Sequence, residues 1–147
     1  MDSPKAAASS NSGILEFGTH QFYVAERRMV VLVLRGDVNP DEAQELAETI
    51  DAVNPLARHL AVVCDATDMQ PSARARHAIA RLRFSGESRA GTLVVVAGAG
   101  GGARAALAMG LDLARDASEG ELHVKFVADR RAAMATARAY LSEHAEG

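Results

Sequence analysis

Apolar residues fall in short clusters along the first third of the chain and in longer, regularly spaced sets beyond it. Ile14 to Phe17, Phe22 to Ala25 and Met29 to Arg35 read as three strands, broken by Gly18 and by the charged Glu26-Arg27-Arg28 turn. Strands joined so closely are expected to pair as an antiparallel meander. Asn39-Pro40-Asp41-Glu42 then supplies a capping side chain, a proline for the first helical position and acids for the first turn, the chemistry of a helix start. Ala43, Leu46, Ala47, Ile50 and Val53 follow at helical spacing and give one buried face, and Asn54-Pro55 ends the helix.

Strand and helix alternate from there. His59 to Cys64 predicts a strand, Ser72 to about Phe84 a helix, Thr92 to Ala97 a strand, Ala103 to Ala117 a helix, Leu122 to Val127 a strand, and Asp129 to about His144 a last helix. The runs Leu60 to Cys64 and Leu93 to Ala97 are apolar throughout, as expected of parallel strands covered on both faces by crossover helices. The fold class is therefore α/β: a mixed sheet of about six strands, an antiparallel meander followed by parallel strands, with about four helices. Right-handed crossovers gather the loops after Arg35, Cys64, Ala97 and Val127 at one edge, where ligands of open α/β sheets tend to sit.

This order of elements, over roughly Ile14 to Leu141, resembles the STAS fold and its SpoIIAA-like subgroup, which is also compared with SEC14-type lipid-binding domains. Val31 to Val38 with the helix containing Glu42, Leu46 and Ile50 looks like that family's strand, glycine and first helix. Val62-Val63-Cys64-Asp65 looks like its central strand ending in aspartate, and Pro71-Ser72-Ala73-Arg74 resembles the start of its second helix. The resemblance implies regulation through binding, since STAS domains include anti-sigma-factor antagonists and cytoplasmic modules of anion transporters. It implies a protein partner, such as a regulatory kinase or anti-sigma factor, or a small anionic or lipid ligand, and a bacterial setting. Antagonists switched by phosphorylation resemble Asp-Ser-Ser-Gly at the second helix, whereas this chain reads Asp68-Met69-Gln70-Pro71-Ser72-Ala73, so only Ser72 or Thr67 stands where a phosphoacceptor would fall. At the predicted helix N-terminus Ser72 is also a natural cap. Thr67, Ser72, Arg74 and Arg76 are the expected regulatory or partner-binding residues. Arg74, Arg76, His77, Arg81 and Arg83 form a basic strip on that helix.

Composition narrows the classes. The chain's 147 residues suit one domain, and 48% hydrophobic with 24% charged residues is the makeup of a folded protein. Met1 to Gly13 reads as a disordered tail without the apolar core of a signal peptide, leaving 14–147 as a single domain. A formal charge of -3 offers no domain-wide attraction to nucleic acid. No apolar run reaches the ~20 residues of a membrane span. Cys64, the single cysteine, permits no internal disulfide and suits a reducing cytoplasm.

Gly98-Ala99-Gly100-Gly101-Gly102-Ala103, between a buried strand and a helix, matches a dinucleotide-binding G-x-G-x-x-A, with Arg104 as counter-charge and Asp129 as an acid after the next strand. Gly98, Gly100, Ala103 and Arg104 thus support a second reading, a minimal nucleotide-binding enzyme, although the chain ends too soon for a full dinucleotide domain. The same residues also describe a tight glycine-lined turn. Enzyme motifs are otherwise missing: there is no G-x-S-x-G, no H-E-x-x-H and no zinc spacing, and Ser72 and His77 lie five apart on one predicted helix, facing different ways. No catalytic residue, metal or cofactor is expected. A weak homodimer is expected through an open strand edge near Phe22, Tyr23 and Met29.

Overall fold

The computed structural model describes residues 13–82, 89–118 and 120–145. Its strands are β1 (Ile14–Phe17), β2 (His20–Glu26), β3 (Met29–Gly36), β4 (His59–Met69), β5 (Gly91–Ala97) and β6 (Glu121–Val127). The helices are α1 (Pro40–Val53), α2 (Ala75–Ile79), α3 (Gly101–Ala117) and α4 (Arg130–Glu143). All six strands join one sheet in the order β1-β2-β3-β4-β5-β6. The first two pairings are antiparallel and the last three parallel. The chain therefore has the mixed α/β architecture that its element order predicts.

Sequential order has a consequence for the helices. Parallel strands added always on the same side, through crossovers of one hand, put every crossover helix on one face of the sheet. Accordingly α1, α2 and α3 send Leu46, Ile50, Ala78, Ile79, Leu107 and Leu111 into one core, against Val30, Leu32, Val62, Val94 and Val96. The other face carries Met29, Val31, Val33, Ala61, Val63, Leu93 and Val95, and α4 covers it with Ala133, Ala137 and Leu141. Both faces are covered, one by the crossover helices and the other by α4.

Polar groups fasten the layers. Asn39 and Glu42 form a capping box at α1, and the same Glu42 Oε1 accepts from Nε2 of the fully buried His20 at 3.1 Å. His20 Nδ1 accepts the Arg35 amide at 3.1 Å, so Nε2 carries the ring hydrogen. Arg28, in the β2–β3 turn with φ +65°, donates to the carbonyl of His144 at 3.0 Å and, alongside the His144 amide, to that of Leu141 at 3.4 Å, at the end of α4. At the same end of the sheet, buried Arg89 binds Asp51 in the last turn of α1 and the Asn54 and Ala57 carbonyls just beyond it.

Several boundaries differ from expectation. The second helix is a single turn and a half, Ala75–Ile79, starting three residues after Ser72, and the predicted end at Phe84, like Arg83, lies outside the described residues. The strand expected to stop at Cys64 runs on to Met69, because Arg35 and Gly36 continue to pair with Asp68 and Met69 past a bulge opposite Val33–Arg35. The open edge expected near Phe22, Tyr23 and Met29 is not there. Phe22 and Met29 are buried, β2 lies between β1 and β3, and the sheet edges are β1 and β6. The expected tail falls almost wholly in residues 1–12, outside the described ones.

Gly110 tests the α2–α3 packing. A Cβ there would stand 2.6 Å from Ile79 Cβ and 2.8 Å from the Arg76 carbonyl oxygen, whereas one on Gly102 would meet nothing. Helix propensity alone favours alanine at a helical glycine by up to about 1 kcal/mol. Gly102→Ala is accordingly expected to be neutral or stabilising, while Gly110→Ala is expected to lower stability by about 1–3 kcal/mol through overpacking, read from urea unfolding midpoints.

Candidate functional site

Strands β3 to β6 run in one direction, so the segments after them, 37–39, 70–74, 98–100 and 128–129, share one edge of the sheet. They are laced together there. The Gln70 amide donates to the Gly36 carbonyl at 2.7 Å, and Asp37 Oδ1 accepts the amides of Val38 at 3.0 Å and Ser72 at 2.9 Å. Gly98 donates to the Val127 carbonyl at 3.2 Å. Its φ is +72°, and a Cβ on it would overlap the Thr67 side chain, so only glycine lets this loop close on the end of β4.

Two aspartates carry most of the lacing. The Ser72 amide, the largest influence, helps hold Asp37 below the ordinary aspartate value of 3.8. For Asp65, burial pushes the carboxyl up, but the Thr67 hydroxyl and amide and the Arg130 guanidinium together outweigh it and bring it below the same value. Asp65 Oδ1 accepts from Thr67 N at 3.0 Å and from Thr67 Oγ1 at 2.7 Å, shaping the β4 bulge. Asp65 Oδ2 accepts from Arg130 Nε at 3.0 Å and Nη2 at 2.8 Å, while Arg130 Nη1 donates to Tyr23 Oη at 3.2 Å. This Asp65–Arg130–Tyr23 strap ties the first turn of α4 to the sheet. It escaped the sequence reading because its members are far apart in the chain; the only local signal was Asp65 closing an apolar run.

Of the expected partner-binding residues, Thr67, Ser72, Arg74 and Arg76 are all exposed on this edge or beside it. Thr67 spends its hydroxyl on Asp65. Ser72 is not the cap of the second helix: Arg74 is the N-cap residue, without a side-chain cap bond, and Ser72 Oγ accepts the Arg74 amide at 3.3 Å in the preceding turn. The Asp37 carboxylate reached Ser72 first. Arg76, His77 and Arg81 point outward while Ala75, Ala78, Ile79 and Leu82 are buried, so the basic strip is present over its described part.

The glycine loop is assembled differently from a dinucleotide site. Gly98 serves the turn and Gly100 is the N-cap of α3 with no side-chain cap bond. Ala103 is buried in the core. Arg104 is not placed as a counter-charge, since its guanidinium lies 4.4 Å over the Phe126 ring on β6. Asp129 caps α4, accepting the Ala132 amide at 2.8 Å. The strand order never reverses, so the crevice that opens at a switch point in doubly wound sheets is not formed. Burial, and then the Asp65 charge, push the Cys64 thiol up to about 12, which leaves it a core side chain at neutral pH. Among the described residues no group of three His, Cys, Asp or Glu is arranged to hold a metal ion, and no helix is long and apolar enough to cross a membrane.

The edge and its sheet define a mixed α/β module with laced strand-to-helix loops, in the element order on which the STAS and SpoIIAA-like resemblance rests. Among solved structures the chain is similar to an uncharacterized protein of the DUF3478 family, with a SpoIIAA-like fold, from Shewanella loihica PV-4: 16% identity, over 85% of this chain and 90% of that one, with a TM-score of 0.47. No protein-family model matches the chain, and no curated protein matches it.

The lowered aspartates set the acid response. A carboxyl whose folded value lies below its unfolded one contributes in full above the unfolded value and loses that contribution as the pH falls through the folded one. Stability should therefore drop below the ordinary value of 3.8. Asp37→Ala is expected to cost about 0.5–1.5 kcal/mol at neutral pH and to shallow this acid limb. Ser72→Asp is expected to destabilise where Ser72→Asn does not, because it sets a second carboxylate against Asp37. Urea unfolding from neutral pH down to about pH 3 checks all three.

Proposed function

We propose that the chain is a non-enzymatic regulatory module of STAS type that binds a protein partner of acidic surface chemistry through Thr67, Ser72, Arg74 and Arg76. The observation that carries this reading is the exposure of Arg74, Arg76, His77 and Arg81 on a short helix whose Ala75, Ala78 and Ile79 are locked in the core, directly beside the laced edge. Cations presented by a fixed surface lose little freedom on binding, and they steer an oppositely charged partner during encounter. On this reading Ser72 contacts the partner rather than switching it, since a phosphate on it would face the Asp37 carboxylate. The buried thiol of Cys64 and the missing disulfide framework support a cytoplasmic setting.

A second reading, nucleotide binding at Gly98–Ala103, draws on the uncapped N-terminus of α3 and the space around Gly100 and Gly102. The two separate in one set of measurements. The tagged chain is used to isolate a partner from its own cells, and that partner is then titrated in purified form. The double variant Arg74→Glu, Arg76→Glu is expected to weaken binding at least about tenfold and to flatten its salt dependence, with an unchanged melting temperature. Equal affinity for wild type and double variant would overturn the proposal. A melting shift with nucleotides, lost in Gly100→Val, would replace it with the second reading.

A further inference from the structure

Helix α3 presents a ridge to solvent that its neighbours leave uncovered. One flank leans on β6, where Arg104 lies over Phe126 and Arg115 Nε donates to the Leu122 carbonyl at 3.1 Å. The other flank leans on α2 through Gly110. Between them Gly102, Ala105, Met109, Asp112, Leu113 and Asp116 are exposed, at the three- and four-residue spacing of a seam along one helix face. Met109 and Leu113 are 49% and 50% exposed, large apolar side chains one turn apart in the middle of it.

The charges along the ridge are unbalanced in a way that a reversed copy corrects. The N-terminal end has no acidic residue in its first turn and no side-chain cap, and the glycines at 100, 101 and 102 leave open space where a Cβ would stand. The C-terminal end carries Asp112 and Asp116, negative charge at the negative end of the helix dipole. The basic residue of the last turn, Arg115, is already bonded to Asp112. An antiparallel pair centred on Met109 brings residue 116 opposite residue 102 and residue 113 opposite residue 105. Asp116 then reaches the partner's open helix N-terminus, where negative charge is favoured. Leu113 settles on Ala105, and Met109 meets its own copy. On either side of that Met109 pair a large residue, Leu113, faces a small one, Ala105, which lets the two helices approach.

We propose that the exposed ridge of α3 is a self-association surface, on which a second copy of this chain seats its own α3 antiparallel about a two-fold axis at Met109. The seam is isologous, so it closes at two copies. Seventeen residues of helix span about 25 Å. One such pair lies at or below the lower end of the ~1,200–2,000 Å² of a stable interface, so the association is weak and reversible.

Sedimentation velocity on the full chain over a concentration series is expected to show a monomer–dimer equilibrium in the micromolar range. Met109→Glu, a good helix former at an exposed site, places two like charges at the axis and should weaken it at least about tenfold with no change in melting temperature. Asp116→Lys should weaken it severalfold. Met109→Cys should cross-link to itself in air, while Ala135→Cys on the exposed side of α4 should not. A monomer at every concentration would overturn the proposal. So would a dimer that Met109→Glu leaves intact, which would place the contact elsewhere, such as the β6 edge.

Discussion

A sheet whose central strands are apolar on both faces has to be covered twice, and among the described residues the crossover helices cover one of those faces. Because β3 to β6 are added in sequence on the same side, α1, α2 and α3 all land on one face. Among the described residues the second face, with Met29, Val31, Val63, Leu93 and Val95, is covered by α4. The fixtures of α4 gain their importance from this. At its start Arg130 bonds Asp65 and Tyr23; at its end Arg28 takes the Leu141 and His144 carbonyls. Its alanines, Ala133 and Ala137, let it sit close to the strands. A helix so placed closes the fold and, through Asp65, bears on the edge where the loops converge.

What was legible in the sequence was what is decided locally. Continuous apolar runs marked β3, β4 and β5, helical spacing with Asn39-Pro40 marked α1, and the alternation of types gave a mixed α/β sheet. What was not legible was decided by contacts distant in sequence. The segment Asp65-Ala66-Thr67-Asp68 has the composition of a turn, yet it is strand, because Arg35 and Gly36 hold it in register and the Asp65 side chain satisfies the bulge. Pro71-Ser72 has the composition of a helix start, yet the helix waits until Ala75, because Asp37, thirty-five positions away, binds the Ser72 amide. Gly98-to-Ala103 fits a nucleotide motif by spacing, while Thr67 and Phe126, which no local pattern could supply, assign Gly98 to a close approach and Arg104 to a ring. Thr67, Ser72, Arg74 and Arg76 are exposed at or beside one edge, to which the shared direction of the parallel strands brings the segments that follow them.

The two surfaces proposed here meet at one point, and their geometry determines how they interact. The glycines before α3 belong both to the laced edge and to the end of the α3 ridge. In an antiparallel pair the two protomers' edges lie at opposite ends of the seam, so a partner docked on Arg74 and Arg76 of one copy does not meet the partner of the other. Only the space above Gly100 to Gly102 is shared, and there the Asp116 of a second copy would occupy the amides that an anion would otherwise use. Self-association and protein binding are thus compatible, whereas self-association and nucleotide binding exclude each other. Any ligand that reaches those amides must compete with a carboxylate whose effective concentration rises with that of the protein itself.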